Sequence, residues 1–339
     1  MKTATLLLAV LGFAAMLSAS NAGYQEKPLI RIGIIGCDTS HVPAFTGIFN
    51  DPKNDGDLAG FKVVAAFPGG SADIEVSRSR VEGFIKQLRE KWGVEIVSSI
   101  DELLPKVDAV LVESVDGRPH LAQVTPVLKS KKKVFIDKPI AGSLADALRI
   151  FQLAKQENVP LFSSSSLRFS PGTIQVKNDV KNVGKILGCL AYSPCSLEPH
   201  HPDLFWYGVH GMETLYTIMG QGCVSVTRAH SKDFDVVTGT WKDGRIGTYR
   251  GLRSGKSDYG ALVFGTNGIV STGKYEGYKP LVVEIAKFFR TGVAPVAAAE
   301  TIEMFAFMEA ADESKRQGGA PVTLEAVMAK ARAQLSSAK

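Results

Sequence analysis

The chain has 339 residues, of which 45% are hydrophobic and 22% charged, and its formal net charge is +5. A chain of this length and composition can bury two sizeable cores, which excludes a disordered or fibrous protein. Lysines and arginines are spread along the sequence apart from the short run at 131–133. The concentrated basic surface typical of nucleic-acid binding is therefore missing, and we expect no nucleic-acid partner.

The first residues have the layout of a secretory signal peptide. Lys2 precedes the apolar run LLLAVLGFAAML, and the small residues SASNAG follow it. The run is too short to span a bilayer, and the Ser-Asn-Ala sequence ending at Ala22 suits cleavage. We expect residues 1–22 to be removed, leaving a periplasmic or secreted protein without a membrane span. An uncleaved membrane anchor is the alternative.

Residues 28–165 alternate short apolar runs with amphipathic stretches, which is the pattern of βαβ units. Six strands are predicted, in the runs IRIGII, FKVVAAF, VEIVS, DAVLVE, KVFID and VPLFSS. Helices are predicted between them, including one over 76–92 and one that follows Ser143 as its N-cap. Because these strands are apolar on both faces, we expect a parallel sheet covered by helices, in a Rossmann-like α/β domain.

Residues 166–339 have a different character, with period-two strands and tight turns. The predicted strands are KILGCLAYS, CVSVTRAH, DFDVVTGTW, RIGTYRGL, GALVFG and GIVSTG. Lys242-Asp243-Gly244 and Asn267-Gly268 are hairpin signals. With the helical stretches LVVEIAKFFRTG and ETIEMFAFMEAADESKRQ, this pattern predicts an α+β domain built on an open, mainly antiparallel sheet. Its C-terminal helices can pack back on the first domain.

The first strand ends in a loop that resembles an altered dinucleotide fingerprint. In G-x-G-x-x-G the glycines allow a tight turn, close approach of a pyrophosphate, and close helix packing. Gly36 occupies the first position, but Asp38 and His41 stand at the second and third. Asp38 adds negative charge near a dianion, whereas Thr39 and Ser40 keep hydroxyl and N–H groups at a helix N-terminus, which favours an anion.

The second strand also ends without the usual cofactor contact. An acidic residue normally holds the adenosine ribose at this point, but the chain has Phe67 and Pro68, which cannot accept hydrogen bonds from ribose hydroxyls. Gly69, Gly70 and Ser71 follow and could cradle a phosphate with backbone N–H groups.

The segment DAVLVESVDGRPHLAQVTPVLKSKKKVFIDKPIA runs strand, loop with His120, helix and strand, and then Asp137-Lys138-Pro139. It resembles the Gfo/Idh/MocA family of sugar and polyol oxidoreductases, whose members carry a histidine at this offset before a Glu-Lys-Pro motif. Asp137 replaces the glutamate and keeps its charge. The resemblance extends through LRFSP at 167–171 and WYGVHGMETLYTIMG at 206–220, so it covers nearly the whole mature chain.

Two residues are the predicted proton-transfer pair. Lys138 follows a parallel strand, so its side chain points into the crevice where ligands bind in open α/β sheets. Trp206, His210 and Glu213 fall on one helical face. The family usually has aspartates in place of Trp206 and Glu213, whereas His210 matches. A histidine beside a lysine suits hydroxyl oxidation, because it can share the proton while hydride leaves the same carbon.

The resemblance implies NAD or NADP as cofactor, bound between the two domains. The residues expected at the cofactor are Gly36, Asp38, Thr39, Ser40, His41, Gly69, Gly70, Ser71, Ser114, His120 and Asp137. Those expected at the substrate are Arg168, His201, Trp206, Tyr207 and Glu213.

The loop EPHHPD and the four cysteines carry side chains that can bind metals or form disulfides. Adjacent histidines point in different directions in most loop conformations, so substrate hydrogen bonding by His201 is favoured over metal binding, and we expect no metal. Cys189 and Cys195 are too far apart for a disulfide if they share an extended strand. A bridge between Cys195 and Cys223 stays open.

The leading interpretation is an exported oxidoreductase that transfers hydride between NAD(P) and a hydroxyl of a small sugar, polyol or glycoside. The alternative is a carbohydrate-binding protein, or a glycoside lyase or hydrolase, on the same scaffold without exchangeable dinucleotide. Asp38 and Phe67 favour the alternative, whereas Lys138 and His210 disfavour a pure binder. By family analogy, the open sheet could form a homo-oligomer.

Overall fold

The computed structural model describes residues 28–337, and the predicted signal peptide at 1–22 lies outside them. No helix within 28–337 is long and apolar enough to cross a membrane.

The N-terminal part of the described chain contains a parallel six-stranded sheet, as predicted. Its strands are β1 (Ile30–Ile35), β2 (Phe61–Phe67), β3 (Glu95–Ile96), β4 (Ala109–Val112), β5 (Lys133–Ile136) and β6 (Leu161–Ser163). They lie in the order β3-β2-β1-β4-β5-β6, which is the doubly wound order. The chain direction across the sheet reverses beside β1, so the ligand crevice is expected above the carboxyl ends of β1 and β4.

Helices cover both faces of this sheet. They are α1 (His41–Phe49), α2 (Glu75–Arg78), α3 (Val81–Trp92), α4 (Ile100–Leu103), α5 (His120–Lys129) and α6 (Leu144–Glu157). The predicted N-cap of α6 is confirmed, because the Ser143 side chain accepts a hydrogen bond from the backbone N of Asp146 at 3.0 Å. The prediction of one continuous helix over 76–92 is wrong, because the helix is interrupted between Arg78 and Val81.

The second part contains a seven-stranded sheet. Its strands are β7 (Ile186–Pro194), β8 (Cys223–His230), β9 (Phe234–Trp241), β10 (Ile246–Leu252), β11 (Gly260–Gly265), β12 (Ile269–Ser271) and β13 (Val322–Thr323). Both predicted hairpins are confirmed, since 242–244 joins β9 to β10 and 267–268 joins β11 to β12. The pairing is antiparallel except between β7 and β10, so the sheet is mixed and mostly antiparallel.

Five further helices complete the described chain: α7 (Pro171–Asn178), α8 (Val209–Met219), α9 (Lys279–Thr291), α10 (Ala298–Arg316) and α11 (Leu324–Ser337). A π-helical turn, Leu204–Gly208, leads directly into α8. Helix α9 packs against the first sheet, where the rings of Phe288 and Phe162 lie 5.0 Å apart. The two parts therefore share a continuous apolar contact, and this contact fixes the crevice between them.

The four cysteines are free and buried, so the disulfide left open between Cys195 and Cys223 is absent. The seven-stranded sheet exposes several large apolar side chains, namely Leu187, Val224, Ile246, Leu262, Phe264 and Ile269. Such a surface is compatible with self-association, and the homo-oligomer stays a prediction.

Candidate active site

A cavity of about 400 Å³ lies in the crevice between the two sheets. One wall is the N-terminus of α1, with Thr39, Ser40 and His41. The opposite wall is α8 and the turn before it. Lys138, which follows β5, also faces the cavity. An aromatic wall closes the space, formed by Trp206, Tyr207, Tyr259, Tyr275 and Tyr278.

Lys138 presents its ammonium group to this cavity. Its backbone N donates a hydrogen bond to Oδ1 of Asp137 at 2.8 Å. Its Nζ atom lies 5.8 Å from the ring centre of Tyr207 and has no hydrogen-bond partner among residues 28–337. The lysine is therefore held at its backbone and free at its reactive end, as the strand-end position predicted.

His210 reaches the cavity from α8. Its Nδ1 atom lies 2.7 Å from Oγ of Ser165, and its Nε2 atom has no partner within the described part of the chain. Burial lowers the pKa of His210 well below its ordinary value, and the nearby charges of Lys138 and His41 lower it further. His210 is therefore a neutral imidazole at physiological pH, with one nitrogen fixed and the other available.

His41 forms a close pair with Asp137. The Nδ1 atom of His41 lies 2.6 Å from Oδ2 of Asp137, and both side chains are buried. The His41 ring stacks on Phe45 and meets the edge of Tyr278. Burial opposes ionisation of Asp137, but the charges and hydrogen bonds of His41 and Lys138 outweigh it and lower the pKa of Asp137.

The structure does not place Asp38 on the cavity surface, although the sequence predicted it at the cofactor. Asp38 is fully buried, and its carboxylate accepts hydrogen bonds from Oγ of Ser77 at 2.6 Å and from the backbone N of Val115 at 2.8 Å. Burial also raises the pKa of Asp38. The side chain has turned inward because these two donors replace water, and it ties together the loops after β1, β2 and β4.

The glycine-rich loop after β2 is attached to the loop after β4. Ser71 donates a hydrogen bond to Asp116 at 2.6 Å, and Arg118 bonds both Asp116 and Asp73. Gly69, Gly70 and Ser71 are therefore not part of the cavity lining.

At the first fingerprint position, a Cβ on Gly36 would overlap Ser114, so this position requires a glycine.

Ser114 and His120 support the loops instead of lining the cavity. The hydroxyl of Ser114 donates to Gln123 at 2.9 Å. The His120 ring nitrogens lie 2.9 Å from the carbonyl oxygen of Ser114 and 3.2 Å from that of Ile140. His120 thus joins the loop after β4 to the segment that follows Lys138.

Arg168 and Glu213, both predicted at the substrate, form a buried ion cluster behind His210. The Nε atom of Arg168 donates to Glu213 at 2.5 Å, and its other guanidinium nitrogen Nη1 bonds Glu300 at the same distance. Glu213 also accepts a hydrogen bond from the backbone N of Ser165. The charges of these two residues are paired with each other and with Glu300, while Nη2 of Arg168 is buried without a hydrogen-bond partner among the described residues. Their contact with substrate stays a prediction.

His201 lies beside the site but does not line the cavity. It is buried, and its Nε2 atom lacks a hydrogen-bond partner among the described residues, the nearest acidic oxygen being that of Asp116 at 3.9 Å. Its neighbour His200 is half exposed and pairs with Glu198. Within residues 28–337, no group of three or more histidine, cysteine or acidic side chains is arranged to hold a metal ion.

The histidine at 201 makes stability depend on pH. Burial lowers the pKa of His201 to about 4, whereas an unfolded histidine titrates near 6.5. Between these values the unfolded chain binds more protons, so the native state loses stability as the pH falls. We expect acidification through this window to destabilise the wild type more than His201→Gln, by on the order of 2 kcal/mol. Urea unfolding at several pH values measures the difference.

The matched control for this prediction is His200→Gln. This neighbouring side chain is half exposed, so its replacement should leave the pH dependence of the wild type almost unchanged. Equal pH dependence in the wild type and in His201→Gln would show that His201 is not held neutral by the fold.

Several residues of the cavity were not predicted from the sequence. Arg80, in the break between α2 and α3, lines the cavity, and Glu198 lines it from the loop before the π-helical turn. Tyr259, Tyr275 and Tyr278 come from loops of the second part. No motif in the sequence separates these tyrosines from ordinary surface aromatics.

A doubly wound sheet, with a lysine at a strand end and a histidine in one interdomain cavity, defines a Rossmann-fold domain joined to a second domain that completes the site. Residues 30–165 match the model of the GFO_IDH_MocA family, described as "Oxidoreductase family, NAD-binding Rossmann fold". The N-terminal domain therefore matches the Gfo/Idh/MocA family, as the sequence resemblance predicted.

The chain is also similar in sequence to two inositol dehydrogenases. The chain is 35% identical over 133 residues to myo-inositol 2-dehydrogenase of Thermotoga maritima, covering 38% of this chain and 39% of that protein. It is 26% identical over 221 residues to inositol 2-dehydrogenase 3 of Saccharopolyspora erythraea, covering 61% of this chain and 60% of that protein. The aligned parts thus span less than two thirds of these curated relatives.

Solved structures share the fold over most of both chains. Myo-inositol 2-dehydrogenase from Lactobacillus plantarum superposes with a TM-score of 0.72 at 17% identity, covering 88% of this chain and 99% of that one. GenD2 from gentamicin A biosynthesis, solved in complex with NAD, gives a TM-score of 0.69 at 16% identity, covering 89% and 98%. These likenesses establish the two-part fold beyond the segment that the family model covers.

Proposed function

We propose that this protein transfers hydride between NAD(P) and a secondary hydroxyl of a small sugar, polyol or glycoside. The observation that carries the proposal is the presence of Lys138 and His210, each with a free nitrogen, in one cavity beside the N-terminus of α1. The inositol dehydrogenases among the relatives support a cyclic polyol as substrate class.

The dinucleotide fits this site in a modified way. Asp38 and His41 replace two glycines of the fingerprint. The backbone N–H groups and hydroxyls of Thr39 and Ser40 still form a helix N-terminus at the cavity, which favours an anion. Arg80 adds an exposed positive charge to the same end. These three residues would hold the phosphates, and bound NAD(P) would supply the hydride acceptor.

The protein's own residues supply binding and proton transfer. The reacting hydroxyl must lose a proton as hydride leaves its carbon, and Lys138 and His210 are the groups placed to accept hydrogen bonds or protons from it. Trp206, Tyr207 and Tyr259 offer apolar ring faces, on which the C–H face of a sugar or cyclitol can pack. The aromatic wall also excludes water, which favours hydride transfer over side reactions.

The alternative function, a carbohydrate-binding protein or a glycoside lyase or hydrolase without exchangeable dinucleotide, is supported by Asp38 and Phe67. Asp38 puts a buried carboxylate in place of the second fingerprint glycine, and Phe67 cannot accept a hydrogen bond from a ribose hydroxyl. Both interpretations place the ligand in the same cavity, so an experiment on the cofactor separates them.

Turnover and bound cofactor test the proposal together. We expect the purified protein, supplied with NAD⁺ or NADP⁺ and a panel of inositols, hexoses and glycosides, to form reduced nicotinamide. Denaturing it should release any dinucleotide retained from the cell, which mass spectrometry identifies. Absence of both turnover and dinucleotide, with folded protein and measurable sugar binding, would favour the alternative.

We further propose export with cleavage after Ala22. The intact mass of the same protein, purified from the exported fraction, tests this proposal.

A further inference from the structure

The cavity contains a second imidazole, His41, that neither the family motif nor the predicted proton-transfer pair includes. His41 occupies the third fingerprint position, where a glycine is normally found. Its Nδ1 atom is held by Asp137, it lines the cavity, and its Nε2 atom has no partner in the part of the chain described by the structure. A histidine oriented by a buried carboxylate at one nitrogen and open at the other is the arrangement of a general base.

The two histidines of the cavity differ in their ability to hold a proton. His210 has the neutral hydroxyl of Ser165 as its partner, and burial together with Lys138 and His41 disfavours its charged form. His41 has the carboxylate of Asp137, whose negative charge stabilises an imidazolium. The two imidazoles therefore have different partners: a carboxylate orients His41, whereas a hydroxyl orients His210.

The other groups around His41 do not cancel this effect. Tyr278 presents a ring edge from the start of α9, and Lys138 carries the opposing positive charge. Glu113 lies near Asp137, and burial raises the pKa of its carboxyl well above the ordinary value. Asp137 is thus the carboxylate that pairs with His41, and it also accepts the backbone N–H of Lys138.

We propose that His41, oriented by Asp137, is a further acid–base residue of this site and receives the proton that hydroxyl oxidation releases. In this step the C–H bond breaks and its electron pair leaves as hydride to NAD(P)⁺. The O–H bond breaks, a C=O bond forms, and the proton passes to Nε2 of His41 directly or by way of Lys138. The return reaction reverses each of these changes. The inference rests on the proposed function and adds a base to it.

The decisive variant is His41→Gly, which restores the fingerprint glycine and leaves space for an added base. We expect turnover to fall roughly 10²-fold, the usual contribution of acid–base catalysis, and added imidazole to restore part of it. His41→Gln should be equally slow with a native fold, because its amide can bond Asp137 but cannot take up a proton. His200→Gly, in a half-exposed neighbouring loop, is the control and should keep full activity.

Each other outcome counts against the inference. Turnover of His41→Gly within twofold of the wild type would overturn it. So would an unchanged kcat with a raised KM for NAD(P), because His41 would then bind the cofactor phosphates instead of a proton. A slow variant that imidazole does not restore would indicate a structural role.

A measurement that needs no turnover separates this inference from the proposed function. Diethyl pyrocarbonate acylates unprotonated, accessible imidazole nitrogens, and peptide mass spectrometry locates the adducts. We expect modification at His41 and His210, with His200 as a positive control and the buried His120 unmodified. An unmodified His41 beside a modified His210 would show that Nε2 is not open to the cavity. If the wild type oxidises no tested substrate while His41 is modified, the substrate proposal fails, but the accessibility of Nε2 of His41 to the cavity is supported.

Discussion

Replacing Lys138 or His210 with alanine should lower turnover by roughly 10² to 10⁴, the range that acid–base catalysis contributes. Both side chains have a free nitrogen in the same cavity; Asp137 accepts the backbone N–H of Lys138, and Ser165 bonds the imidazole of His210. Steady-state kinetics with the best substrate of the panel measures the loss. The decrease should appear in kcat, because these groups act on the reacting hydroxyl and not on the remote part of the substrate.

The two losses should not add. Residues that act as a unit give a double variant little worse than the worse single one, so Lys138→Ala with His210→Ala should resemble the slower single variant. Lys86→Ala, on the exposed face of α3, is the matched control for removing a lysine. Full activity in His210→Ala, with the fold confirmed by circular dichroism, would remove His210 from the mechanism and leave Lys138 as the sole member of the predicted pair.

Most of the fold could be predicted because hydrophobic periodicity is a local signal. The strand IRIGII and the helix after Ser143 were predicted from a few neighbouring residues each, and the structure confirms both. The parallel pairing of β7 with β10 could not be predicted, because it depends on how the chain carrying α8 returns across the sheet. The break between Arg78 and Val81 could not be predicted either, because the residues on both sides of it have helical periodicity.

The candidate site was only partly predictable, because sequence motifs mark positions and not side-chain directions. Lys138 and His210 face the cavity as expected, since a strand end and a helical face fix where they point. Asp38 turns away from it, because Ser77 and Val115 happen to supply donors from two other loops. His41 was predicted at the cofactor, and its pairing with Asp137 depends on a contact between segments far apart in the chain.

Breaking the ion cluster behind His210 should lower the stability of the protein. Arg168 is buried between Glu213 and Glu300, and its removal leaves the buried Glu213 without a cation. Breaking a buried pair in this way costs roughly 3 to 5 kcal/mol, whereas replacing both partners by neutral groups costs much less. We therefore expect Arg168→Met to lose about that much stability, and Arg168→Met with Glu213→Gln to regain a substantial part, as measured by urea unfolding.

The pH dependence of the Arg168→Met variant gives an independent check on the cause. Burial already raises the pKa of Glu213, and Arg168 opposes that rise. Without Arg168 the native carboxyl binds its proton more tightly than the unfolded one, so the native state gains stability as the pH falls. The deficit of Arg168→Met should therefore be largest near pH 8 and shrink toward pH 5, and Glu213→Gln should abolish this trend. Arg78→Met, at an exposed pair with Glu75, is the control and should change stability little at any pH. A deficit that is the same at every pH would mean that lost packing around the guanidinium, and not an uncompensated carboxylate, accounts for the destabilisation.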